Sequence, residues 1–66
     1  MTDEQLLALI EVDPRKLAGK PVIRSTRLSV EHMLNRLGHG QTAQEIVREY
    51  PGLTEDAVRA CVAYQS

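Results

Sequence analysis

Residues 13–30, DPRKLAGKPVIRSTRLSV, constrain the fold more than any other stretch. Pro14, Gly19 and Pro21 break any helix through it, while Val22, Ile23 and Val30 are β-branched and favour extended backbone. The stretch is electrically distinct as well. Between Pro14 and Val30 stand Arg15, Lys16, Lys20, Arg24 and Arg27 with no acid among them. Residues 1–13 carry Asp3, Glu4, Glu11 and Asp13 with no base, and residues 31–66 set five acids against Arg36, Arg48 and Arg59. A net charge of −1 therefore conceals a strong separation of charge. The pattern predicts a basic, turn-rich, partly extended arm on a helical body that begins near Ser29.

Ahead of the arm, residues 2–10, TDEQLLALI, offer Thr2 or Asp3 as an N-cap and two acids in the first turn, which suits the helix dipole. Leu6, Leu7, Leu9 and Ile10 are too many apolar groups for one narrow stripe. A short helix is expected, or a helix passing into a strand near Ile10–Val12. These leucines either close the core or form a subunit or partner contact, for which Leu6, Leu7 and Ile10 are the candidates. Gly19 is expected to hold a positive φ in the turn Ala18–Pro21. Val22-Ile23 and Thr26–Val30 are each candidate short strands, with Ser25 at the bend, and pairing with Ile10–Val12 makes a small β-ribbon bearing Arg24 and Arg27. Strands this short need support, which the same element of a second subunit could give.

From Ser29 the periodicity turns helical. Val30, Met33, Leu34 and Leu37 fall on one face behind Ser29 as N-cap, and Gly38-His39-Gly40 stops the helix. Thr42 and Glu45 form a capping box for a second helix whose apolar face is Ala43, Ile46, Val47 and Tyr50. Pro51-Gly52 ends it. Thr54 caps a third, with Leu53, Ala57, Cys61 and Tyr64 on one face and Val58 and Val62 beginning another. The fold expected for residues 1–66 is a single, mainly α domain: an N-terminal helix and β-arm over 1–28, then a trihelical, helix-turn-helix (homeodomain-like) bundle over 29–66.

Size and composition narrow the functional classes. A chain of 66 residues buries only about 60% of its unfolded surface, and neither Trp nor Phe enlarges its core. A single cysteine excludes an internal disulfide. A homo-oligomer, a homodimer first, or an obligate partner is the expectation for such a domain. The N-terminus is acidic and too short in its apolar run for a signal peptide, and no stretch approaches the roughly 20 apolar residues that cross a bilayer. A soluble, cytoplasmic protein without membrane contact is expected. His32 and His39 lie about 10 Å apart along a helix, too far to chelate one metal. Cys61 sits on an apolar face as a small core residue. AGKP lacks the spacing of a phosphate-binding loop. No enzymatic activity, metal or cofactor is expected.

The second and third helices have the length and turn of a helix-turn-helix. The would-be recognition helix, Thr54 to Tyr64, opens with Glu55 and Asp56, where base and phosphate contacts normally fall, and Arg59 is its only base. Any nucleic-acid contact therefore rests on the arm: Lys20, Arg24 and Arg27 first, with Arg15 and Lys16, and Thr26 giving a hydroxyl to phosphate or backbone. The competing reading is a solvated surface, or bases paired with the acidic N-terminus or an acidic partner.

Five pieces in order, Ile10–Pro14, Ala18–Leu28, the helix ending at Gly40, Glu45–Thr54 and Ala60–Tyr64, resemble the pattern of the family called domain of unknown function 433. In that pattern an I-x-x-D-P precedes G-G-K-P-x-I-R-G-T-R-I, a helix ending in glycine, an E-I-x-x-x-Y-P-x-L-T run and A-x-x-Y. Members are usually described as VapB-like antitoxins with a homeodomain-like or winged-helix-like domain that dimerises. The resemblance implies an antitoxin of a type II toxin–antitoxin system that binds a PIN-like ribonuclease toxin and its own operator DNA. An alternative is a small dimeric interaction module that binds protein and no nucleic acid. Two positions depart from the pattern. Ser25 stands for glycine, which costs about 1 kcal/mol or more if φ is positive there, and Ala18 stands for the first of two glycines. Many antitoxins grip their toxin with a flexible C-terminal segment. With little chain after Tyr64, toxin contact is expected on the domain surface, at Leu6, Leu7 and the arm, or in residues outside the sequence.

Overall fold

The computed structural model describes residues 1–65. Four helices and one two-stranded sheet follow in the order α1 (Asp3–Leu7), β1 (Ile10–Glu11), β2 (Val22–Ile23), α2 (Val30–Gly38), α3 (Ala43–Glu49) and α4 (Glu55–Gln65). The mainly helical body and its small N-terminal ribbon are those the sequence predicts. Each helix begins where a hydroxyl side chain can take over an orphan N–H. Thr2 Oγ1 accepts from Gln5 N while the Gln5 side chain accepts from Thr2 N, a reciprocal box. Ser29 Oγ accepts from His32 N at 2.9 Å. Thr42 and Glu45 close a second box at 3.1 and 2.9 Å. Thr54 Oγ1 accepts from Ala57 N at 3.1 Å.

The ribbon is antiparallel, with Ile10 opposite Ile23 and Glu11 opposite Val22. Thr26–Val30 does not become a strand. It returns along β2 through one bridge, Val22 to Ser29, with Ile23 N donating to Leu28 O and Val30 N to Pro21 O. Ser25 turns the chain there with φ 67°, the left-handed conformation that a glycine adopts without strain. The longer link from Glu11 to Val22 is stranger. Leu17, Ala18 and Gly19 are all left-handed, with φ 47°, 57° and 84°, in one tight turn closed by Gly19 N donating to Lys16 O and Lys20 N to Leu17 O.

Helix α4 is the axis of the core. It packs against α1, α2, α3 and β1. Ala57, Val58, Ala60 and Cys61 are buried on it, with Met33 and Ile46 fully buried opposite. Two alanines and a cysteine let the neighbouring elements approach closely. The outer side of α4 differs from the expected faces: Val62 and Tyr64 remain 45% and 41% exposed. Once α1 and β1 cover one flank, four consecutive-turn positions suffice for the core, and Tyr64 lies beyond it.

Candidate partner-binding site

The five bases of the arm do not form a free cationic surface. The Arg15 guanidinium spans Asp13 with two contacts of 3.2 Å, and Arg15 N donates to the same carboxylate at 2.9 Å. These bonds, the side-chain pair foremost, hold the Asp13 carboxyl below its ordinary pKa. Lys16 Nζ lies 2.8 Å from Glu11, and Lys20 Nζ 3.3 Å from Glu31. Arg24 donates from Nε to Ala8 O at 3.1 Å, and its Nη1 sits a loose 3.7 Å from Glu11. Arg27 is exposed and has no ion pair among the described residues. An exposed pair such as Lys20–Glu31 contributes about 0–1 kcal/mol, so a partner's acid or phosphate can displace it cheaply.

The remaining predicted contacts fall in different places. Thr26 Oγ1 donates to Ile23 O at 2.7 Å and accepts from Leu28 N at 3.0 Å, so the hydroxyl serves the backbone rather than the surface. Ile10, 8% exposed, belongs to the core of the single chain. Its side chain is therefore not at the surface for a second molecule. Leu6 packs on that core, while Leu7 stays 43% exposed.

What the structure adds is a groove of about 290 Å³ between two turns that are far apart in sequence. One wall is Arg24, Ser25, Thr26 and Leu28, and the other is Tyr50 to Thr54; Leu9, Ile23 and Ala57 form the floor. Both walls are braced. The Ser25 turn is tied by the Thr26 hydroxyl and by Thr26 N donating to Ile23 O. The second turn is tied by Leu53 N donating to Tyr50 O at 3.0 Å. Tyr50 itself is held from α2: its hydroxyl accepts from Arg36 Nη1 at 3.0 Å and lies 3.1 Å from His32 Nε2. Arg36 also bonds Gln41 and Glu49, and its guanidinium lies 5.8 Å from the Tyr50 ring centroid. Sequence reasoning marked both turns singly. No periodicity signals that two turns will face each other.

Among the described residues, no three His, Cys, Asp or Glu side chains gather as a metal would require, and no helix is long and apolar enough to cross a membrane. Cys61 is fully buried, its Sγ 3.4 Å from Ala57 O, and burial pushes its thiol up to about 11.

Residues 10–65 match a family profile described as "Protein of unknown function (DUF433)". The fold also matches the crystal structure of a DUF433 member protein from Anabaena variabilis, at a TM-score of 0.81 and 30% identity. The match covers 92% of this chain and 60% of the other, so the chain spans about three-fifths of that protein's length. Comparison with curated proteins gave no significant match.

Proposed function

From the premise that the chain belongs to the DUF433 family, we propose that it is an antitoxin-type docking protein. Its partner is a PIN-like ribonuclease toxin, and its contact surface is the braced groove with Arg24 and Arg27 beside it. The observation that carries this reading is that the groove joins two rigid turns over an apolar floor, next to a base without an ion pair among the described residues. Interfaces of this kind rest on a few well-packed anchors rather than on area. The reading includes self-association, because Leu7, Val12 and Leu17 are all more than two-fifths exposed on a domain small enough to gain from a partner. The test is co-expression with a PIN-like ribonuclease. The expected result is a stable complex in which RNA cleavage is suppressed, and suppression is weakened by Arg24→Glu with Arg27→Glu. Full cleavage in an equimolar mixture would overturn the reading.

Operator binding is the second reading, favoured by the turn between α3 and α4 together with Arg24 and Arg27. It requires the arm to do the work. The head of α4 presents Glu55 and Asp56, and the inner side of that helix is spent on the core. Fluorescence anisotropy with the upstream duplex decides it. Preference over a scrambled duplex, lost steeply with salt and flattened by the Arg24 and Arg27 changes, supports it. Equal affinity for both duplexes removes it.

A further inference from the structure

Resting on the docking reading, we infer that the groove takes a single bulky apolar side chain of a partner segment that is acidic on one side of that anchor and basic on the other. The volume, about 290 Å³, lies just below the range of small-molecule pockets, about 300–1,000 Å³. It suits a Leu- or Phe-sized anchor rather than a cofactor. Leu9, Ile23 and Leu53 offer such an anchor apolar contact, and the walls are fixed by the Thr26 and Tyr50 hydrogen bonds, so little ordering accompanies binding.

The charges around the groove select the flanks. Arg24 lines the wall formed by the first turn and the exposed Arg27 directly follows Thr26 beside it, while Glu55 and Asp56 directly follow Thr54 on the other. Asp56 is bonded to Arg59, which leaves Glu55 without an ion pair among the described residues. A uniformly negative ligand, whether an acidic peptide or a nucleic-acid strand, meets repulsion at the second wall. A segment carrying an acid at one end and a base at the other meets opposite charges at both.

Four probes test this by ¹H–¹⁵N NMR titration: a peptide with a central Leu, acids before it and lysines after it; the same peptide with Leu→Ala; an all-acidic version; and a single-stranded oligonucleotide. The mixed peptide is expected to shift the amides of Ser25–Leu28 and Gly52–Thr54, and to bind at least tenfold tighter than the other three. Arg27→Glu, at a side chain without an ion pair among the described residues, should weaken the mixed peptide severalfold, and Glu55→Lys should restore binding of the all-acidic one. Equal binding of the alanine peptide overturns the anchor. Tighter binding of the all-acidic peptide or the oligonucleotide overturns the charge order. Shifts confined to other surfaces, or none with any probe, overturn the groove. A toxin that still co-purifies in those cases leaves the docking reading standing without it.

Discussion

The arm and the helical body are built on opposite terms. In the body, each of α2, α3 and α4 starts at a side-chain cap, and α2 and α3 bury apolar residues against α4. Local rules and the core agree there. The arm has only Val22 and Ile23 fully in the core, and it keeps its shape through four left-handed residues, three of them not glycine, and through side-chain bonds to backbone. Conformations that cost energy persist where the surroundings over-determine them, and such places gather at functional sites. The groove lies where this strained, polar region meets the well-packed one.

The difference can be broken most forcefully in the body. Met33→Ala removes a fully buried side chain and is expected to cost about 2–5 kcal/mol, enough to unfold much of a domain this small. Denaturant titration with far-UV circular dichroism measures it. In the arm, Thr26→Val keeps the volume but strips the two hydrogen bonds that tie the turn. A loss of about 1–3 kcal/mol is expected, accompanied by loss of partner binding out of proportion to the loss of fold. Ser25→Gly works in the other direction. Relief of the left-handed serine should stabilise by up to about 1 kcal/mol, and Ala18→Gly likewise, whereas Gly38→Ala in α2 tests propensity alone.

Acid gives the subtlest separation. Hydrogen bonds from Arg15 hold Asp13 below its ordinary pKa, and hydrogen bonds from Thr42, the backbone one foremost, do the same for Glu45. A carboxyl depressed on folding adds stability that is complete above its unfolded value and is lost as pH falls through its folded one. Thermal melts taken from neutral pH into acid should therefore decline on the acid side. Asp13→Asn should remove part of that decline from the arm, and Glu45→Gln part of it from the body. Identical acid slopes in wild type and both variants would contradict the assignment.

Much of this was legible in the sequence because it is local. Thr42 with Glu45 show their spacing directly, and Ile10 with Val22-Ile23 stand out as β-branched pieces between turns. Gly19 and Ser25 were marked as bends, and both have positive φ. Ala18 falls in the turn read from the sequence but without a positive φ of its own, and nothing local marks Leu17, whose side chain disfavours the left-handed region; the closure of residues 13–20 on itself demands it. Charge separation is visible in the sequence, and pairing of the bases with the acidic N-terminus is its competing reading; which base meets which acid is not, because Lys20 finds Glu31 and Arg24 finds Glu11 only after the ribbon folds. The exposure of Val62 and Tyr64 depends on which flank of α4 the N-terminal elements cover. The groove depends on two turns more than twenty residues apart, and nothing local records that meeting.

On the proposed docking reading, a partner contacts the junction of the two turns and not the outer face of α4. Hydrogen exchange of the chain, free and mixed with a PIN-like ribonuclease that it is found to bind, tests this most directly. The expected result is added protection at residues 24–28 and 50–54, with the exchange of Arg59–Ala63 unchanged. Protection gained over Arg59–Ala63, with the two turns exchanging as in the free chain, would contradict the account.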